Sequence, residues 1–151
     1  RDRKGNYHKK PSNIIPKKRE SAYSIFIQDQ RILLVKPGWA DVFEFPGGGK
    51  EEGESLLGTL KREFLEETGF EIIEFDNTPI QIINTKFYAD DLNEYFDSKL
   101  FFYIIKTLGN QNKTPISNNE IIDLENISIS NLNKKNMHHI HFSILELIKV
   151  I

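Results

Sequence analysis

An α/β fold, with a mixed β-sheet covered by helices, is what the sequence predicts, and three observations lead there. Segments rich in β-formers are interleaved with segments of helical spacing along the chain. Two of the β-rich segments are separated by only a tight polar turn, a connection that a purely parallel sheet does not allow. The 151 residues, 38% hydrophobic and 28% charged, have the size and composition of one ordinary globular domain. At that length folding removes roughly 68–70% of the unfolded chain's surface from water, enough for a real core.

The elements follow in order. Residues 1–20 are polar and basic, carry Pro11 and Pro16, and read as an N-terminal arm or edge segment with a solvated charge run. Residues 21–151 form the expected domain. Ala22–Ile27 and Ile32–Val35 are β-rich and flank Asp29-Gln30, which predicts a hairpin. Pro37-Gly38-Trp39 marks a loop, and Val42-Phe43-Glu44-Phe45 reads as a short strand stopped by Pro46 and three glycines. Ser55–Thr68 has helical spacing, with Leu57, Leu60 and Phe64 at i, i+3 and i+7, and Gly69 sits where a C-cap glycine belongs. Ile72-Ile73, Ile80–Phe87 and Lys99–Lys106 are expected strands; Ala89–Asp97 and the Asn-rich Gly109–Asn119 are expected loops. Met137–Ile151, apolar at Ile140, Ile144, Leu147 and Ile148, is a terminal amphipathic helix.

Composition excludes several functions. The net charge of −2 provides no general field for nucleic acid or an acidic membrane surface. No apolar run reaches the 18 or more residues of a membrane span, and no apolar core follows the basic N-terminal residues as in a signal peptide. The chain begins with Arg rather than Met, which leaves room for residues upstream of it. The absence of cysteine rules out disulfides and thiolate metal sites and fits a reducing compartment, so cytoplasm is the default.

One segment carries the chemistry. Pro46-Gly47-Gly48-Gly49 is backbone that can come close to a ligand, with bare amides or carbonyls able to face a phosphate or a cation. On the following helix, Glu63, Glu66 and Glu67 are related by i+3 and i+4 and span about 100° of the cylinder. Leu57, Leu60 and Phe64 form a stripe about a right angle away, so one face can be buried while three carboxylates point into a cleft. Like charges at these spacings repel by about 0.2–0.5 kcal/mol per pair, more where water is excluded. Hard oxygen ligands of this kind suit Mg²⁺ or Mn²⁺. Taken alone, the glutamates are also compatible with a solvated acidic face.

Residues 48–70 resemble the Nudix hydrolase family, whose box reads G-x5-E-x7-R-E-U-x-E-E-x-G-U, with U a bulky apolar residue. Gly48, Glu54, Arg62, Glu63, Glu66, Glu67 and Gly69 meet every fixed position, with Phe64 and Phe70 at the apolar sites. At about 7% usage for each of the seven fixed residues, chance would produce this on the order of 10⁻⁶ times per chain, which decides against coincidence. Phe43-Glu44-Phe45-Pro46-Gly47-Gly48 looks like the strand and turn leading into the box, with Phe43 where many members have Trp and Lys50 where an apolar residue is usual.

The resemblance implies an α/β/α sandwich with a mixed sheet and a loop-helix-loop catalytic motif. It implies Mg²⁺- or Mn²⁺-dependent hydrolysis of a phosphoanhydride in a nucleoside diphosphate-linked small molecule: a nucleoside triphosphate, nucleotide sugar or dinucleoside polyphosphate. Glu66, Glu67 and Glu63 would bind metal, Glu63 alternatively acting as base, and the Gly47 carbonyl would be a further ligand. Arg62 and Glu54 would orient the carboxylates, and Gly48 would approach the substrate. A late carboxylate is common in the family; Glu120 is the candidate, with Asp90, Asp91 and Glu94 competing. Dimers are common too, so a homodimer stays open. The alternative from another class is a nucleotide-sensing domain that kept the fold without catalysis.

Other residues invite a reading. Trp39, in the loop before the glycines, is a candidate for stacking on a base, with burial against the sheet as the competing role. His138, His139 and His141 suggest a metal cluster, but adjacent helical histidines point to different faces, and they are expected on the surface. Tyr88 stands where some dinucleoside polyphosphate-cleaving members have a Tyr; core packing is the expected role.

Overall fold

In the computed structural model the hairpin around Asp29-Gln30 joins β1 (Lys17–Gln28) to β2 (Arg31–Pro37). Both turn residues have positive φ, 53° and 62°, the two-residue geometry whose twist matches the flanking strands. The structure describes residues 1–38, 40–89, 92–111 and 121–151. Among them the remaining elements are β3 (Gly47–Gly49), α1 (Leu56–Thr68), β4 (Phe70–Phe75), β5 (Gln81–Ala89), β6 (Glu94–Gln111), β7 (Ile121–Ser128), a 3-10 turn (Ile129–Asn131) and α2 (His139–Leu147).

The strands form one mixed sheet in the order β4-β6-β1-β2-β7, with β3 paired to β1 and β5 to β6. β1 runs parallel to β6 from Lys17↔Phe96 to Phe26↔Ile105, while the other pairings are antiparallel. Strand β6 explains the layers. Successive strand residues face opposite sides, so Leu100 and Phe102 join the core under α2, and Phe101, Tyr103 and Ile105 join the core under α1. Burial on both faces is why Leu100–Ile105 reads as a continuous apolar run. The predicted α/β/α arrangement is therefore present. No helix among the described residues is long and apolar enough to cross a membrane.

Helix α1 has the ends its sequence calls for. Ser55 caps it by accepting from the Gly58 amide at 3.0 Å, and Gly69, left-handed at φ 78°, donates its amide to Leu65 O. Leu60 and Phe64 are fully buried.

Four expectations change. The strand foreseen at Val42–Phe45 reduces to two isolated bridges, Val35↔Glu44 and Phe43↔Met137, and the paired segment is the glycine run itself, β3. Pro46 has no amide to continue a ladder, whereas bare glycines lie flat against β1. The loop foreseen over Ala89–Asp97 is mostly hairpin, with Ala89↔Glu94 in register, and the Gly109 end of the next expected loop is still strand in β6. Its polar residues occupy the outward face: Glu94, for instance, pairs with Lys17 at 2.7 Å. The terminal helix is shorter than expected, because Met137 belongs to a bridge and His138 is its N-cap.

The N-terminal residues lie against the domain, and strand β1 already begins at Lys17, four residues before the expected division. Asp2 is buried and accepts from the Lys4 and Asn6 amides, Asn6 Nδ2 and His8 Nε2. Burial works to raise the proton affinity of Asp2, but the hydrogen bonds from His8 and Asn6 outweigh it and hold the carboxyl below its ordinary range.

Candidate active site

The site begins with how closely the glycine strand lies on its neighbours. Gly47 has φ +153°, and a Cβ there would meet the Ala22 carbonyl oxygen at 2.2 Å, so the position excludes any side chain. The Gly47 amide donates to Glu67 Oε2 at 3.0 Å. A Cβ on Gly48 would lie 2.6 Å from Glu63 Oε1. Thus the missing side chains let two helix carboxylates reach the turn.

Arg62 organises the rest. Its Nε and Nη2 donate to the two oxygens of Glu54 at 2.6 and 3.0 Å, a forked pair that adds direction to charge. Nη1 reaches Glu63 Oε1 at 3.0 Å and Glu66 Oε2 at 3.4 Å, and Nη2 also meets the Gly49 carbonyl at 3.3 Å. The Arg62 guanidinium and then the Thr59 hydroxyl push the Glu54 carboxyl down to about 2. One cation therefore ties the loop before α1 to the acidic face of the helix.

A cavity of about 350 Å³ opens beside the turn, lined on one side by Gly47–Gly49, Glu63 and Glu67. Glu66 is more exposed and turned toward Arg62, so two of the three predicted carboxylates face the cavity and the third flanks it. Glu67 is the deepest. Burial, and then the charge of Glu63, raise its proton affinity well above the ordinary value, against the Gly47 hydrogen bond; Glu44 and Glu66 add to the rise. An acid held in this way favours a cation beside it, and carboxylates with a carbonyl are the donors that hard divalent ions take. Among the described residues, no three acidic or imidazole side chains already form a metal-holding cluster. Glu63 and Glu66 are engaged by Arg62 instead.

The NUDIX domain pattern matches residues 17–148. The chain belongs to the NUDIX family. An 8-oxo-dGTP diphosphatase of Buchnera aphidicola subsp. Schizaphis graminum (strain Sg) is 37% identical over 65 residues, 43% of this chain and 42% of that protein. That match spans about two fifths of the relative's own length. The crystal structure of a MutT NUDIX hydrolase from Burkholderia pseudomallei superposes with a TM-score of 0.69 at 20% identity, covering 86% of this chain and 97% of that one. A NUDIX hydrolase from Nitrosomonas europaea gives 0.63 at 22% identity, covering 88% and 89%. At these identities the structural likeness speaks for the fold.

Several residues of this NUDIX chain lie at the cavity unforeseen. Arg3, Arg19, Tyr23, Glu44, His138 and His141 all line it. Arg19 sits beside Gly49, stacks over Phe96 at 5.4 Å, and makes no ion pair among the described residues. Its place in a basic run was the available signal, but strand alternation, which aims it inward, needed the β1 register. The histidines expected on the surface are not there: His138 is 5% and His141 1% exposed. His141 Nδ1 accepts from the Phe45 amide at 3.0 Å, and His138 Nδ1 from the Ile140 amide at 3.2 Å. Burial lowers both, His141 to about 3. These are fixed neutral rings, and a ring nitrogen occupied by an amide is not a metal ligand. Tyr88 is not in the core but half-buried, its ring tilted against those of His8 and Tyr95 and its hydroxyl on Asn93. Glu94 pairs with Lys17 at the surface. Trp39, Glu120, Asp90 and Asp91 lie outside the described residues.

Proposed function

We propose that the chain hydrolyses a phosphoanhydride bond in a nucleoside diphosphate-linked small molecule, using Mg²⁺ or Mn²⁺. The observation that carries this is Glu67: a partly buried carboxylate at the cavity wall, against the glycine turn, with its proton affinity raised by desolvation and by Glu63. Glu67, Glu63, Glu66 and the Gly47 carbonyl are the ligands in this reading, and Glu63 alternatively takes the proton of the attacking water. Arg62 and Glu54 hold the carboxylates in place. Gly48 keeps the backbone close to the phosphates, and Arg19 offers them a positive charge. The metal, when bound, polarises phosphoryl oxygens and lowers the pKa of a water.

Water oxygen bonds to one phosphorus, the bridging P–O bond breaks, and the bridging oxygen leaves with the other phosphoryl group. The products are pyrophosphate and a nucleotide, or two phosphate-bearing fragments. The cytoplasm is our reading for where this happens, from the cysteine-free composition.

The test is release of cleavage products, pyrophosphate or the two phosphate-bearing fragments resolved by anion-exchange chromatography, from substrate incubated with purified protein, with Mg²⁺, with Mn²⁺ and with chelator. The panel is dGTP, 8-oxo-dGTP, a nucleotide sugar and a dinucleoside polyphosphate; 8-oxo-dGTP is included because the Buchnera relative bears that name. We expect release from at least one, abolished by chelator. Tight nucleotide binding with no release from any would support the sensing alternative and remove the hydrolase.

A further inference from the structure

The wall of the cavity away from Glu63 and Glu67 is built differently from the wall they occupy. One of its side chains, Arg3, comes from residues 1–8, which precede the span that the family pattern matches. Arg3 is the key member. Its Nε donates to Glu44 at 2.8 Å, its guanidinium lies 5.6 Å from the Phe87 ring centroid, and it lines the cavity with Glu44, Phe87 and His138. Both side chains of the ion pair are nearly buried, 11% and 13% exposed.

The segment is fastened at three separate parts of the rim. The Tyr88 amide donates to Arg1 O at 3.0 Å, the His139 amide to Arg3 O at 2.9 Å, and Arg3 itself holds Glu44. Within the segment, the four hydrogen bonds collected by Asp2 close the turn that aims Arg3 inward. An ordered backbone residue loses about 1–2 kcal/mol of conformational freedom, so a polar segment held this firmly requires such anchors.

The chemistry of this wall selects an occupant. Its charges cancel, because Arg3 and Glu44 are paired. The imidazoles of His138 and His141 are neutral, since each Nδ1 accepts a backbone amide. Around them are the rings of Phe87 and Tyr23 and the apolar Leu100 and Ile140. A phosphate or a second phosphate chain would need net positive charge here. A planar heterocycle with hydrogen-bond donors and acceptors on its edge fits a carboxylate beside a guanidinium, with aromatic and apolar side chains around them.

The geometry points to Arg3 as a specificity-determining residue that, with Glu44, recognises the nucleobase of the substrate, the N-terminal segment reaching the substrate site through this side chain. This rests on the nucleotide reading of the cavity, and binding measurements keep the two separable. Wild type, Arg3→Gln and Arg3→Lys are titrated calorimetrically with AMP, GMP, CMP, UMP and the base-free ribose 5-phosphate, folding being checked by thermal melts. Asp2→Asn, which loosens the turn without touching the cavity, is a further variant.

We expect wild type to bind at least one nucleoside monophosphate at least tenfold more tightly than ribose 5-phosphate. Arg3→Gln and Arg3→Lys should lower that ratio at least fivefold, Lys included because it keeps the charge but not the planar fork. Asp2→Asn should lower it less. An unchanged ratio in both Arg3 variants overturns the proposal, as does equal weakening of base-bearing and base-free ligands, which a merely structural or phosphate-binding role would produce. Arg3-dependent base preference without turnover would sustain the inference and defeat the hydrolase; turnover with Arg3-independent base preference would do the reverse.

Discussion

The two walls of the cavity solve opposite problems with the same kinds of atom. On the α1 wall, Glu63 and Glu67 are drawn together, and burial raises the proton affinity of Glu67 well above normal. On the α2 wall, His138 and His141 are more fully buried, yet each has a backbone amide on Nδ1, and Arg3 is matched by Glu44. One wall is electrostatically incomplete within the protein; the other is complete. An incomplete wall indicates a ligand carrying the missing charge, whereas a complete one indicates shape and hydrogen-bond reading.

The largest expected effect breaks the first wall. Glu67→Gln keeps an oxygen for the Gly47 amide and removes the charge. Turnover should fall by more than about 100-fold, beyond the 10–100-fold that loss of an outer partner of a metal ligand usually causes. Stability should move the other way. A carboxyl whose folded pKa is raised contributes stability that is full below its unfolded value of 4.5 and is lost as pH rises through the folded value. At neutral pH and without metal, the Gln variant should therefore melt no lower than wild type. Equal turnover in a kinetic assay, or a clearly lower melting temperature, would contradict the incomplete-wall reading. Next in size is Glu54→Gln, which leaves Arg62 without its forked partner; activity should fall about 10–100-fold, read as weaker metal dependence in a Mg²⁺ titration.

The first wall was legible in the sequence and the second was not. Glu54, Arg62, Glu63, Glu66 and Glu67 sit on one loop and helix, so local spacing fixes their relation, and the Ser55 and Gly69 caps follow from local rules as well. Arg3, Glu44, Phe87 and His138 come from four distant parts of the chain, brought together by the β5–β6 pairing, the bridges at Phe43 and Glu44 and the docking of the N-terminal residues. A basic, proline-containing arm has no periodicity to show that Asp2 will be buried. The histidines were misjudged for a related reason: near a helix start their faces cannot be assigned until the Phe43↔Met137 bridge sets the entry angle. The glycine run was read as a turn, and only the register Ala22↔Gly48 makes it a strand.

The second wall can be broken by pH. His141 titrates at about 3 in the fold against 6.5 ordinarily, with burial the main cause. Between these values the unfolded chain holds a proton that the folded chain lacks, so stability rises with pH across the window. It falls on acidification below about 6.5, by up to about 1.4 kcal/mol per pH unit. His138 is shifted in the same direction and adds to the slope. His141→Gln supplies an acceptor for the Phe45 amide but cannot titrate, so the difference in urea midpoint between about pH 7 and pH 5 should shrink in that variant. A difference as large as in wild type would place the acid sensitivity elsewhere.

The smallest change probes whether the glycine turn serves the fold or the ligand. A Cβ on Gly47 would strike backbone, Ala22 O at 2.2 Å, whereas on Gly48 it would strike the end of the Glu63 side chain at 2.6 Å. Backbone cannot yield cheaply, but a carboxylate can rotate. Gly48 also lies outside the positive-φ glycines, so alanine introduces no backbone strain there. Gly48→Ala should leave unfolding stability within about 0.5 kcal/mol, while displacing Glu63 from the turn lowers turnover severalfold. Gly47→Ala, by contrast, should destabilise by a margin plain in a denaturant melt. If Gly48→Ala instead unfolds the protein and spares the activity of what remains folded, Gly48 serves packing rather than the site. The separation of the two neighbours then fails, because the close approach of turn and helix would be a property of the core alone.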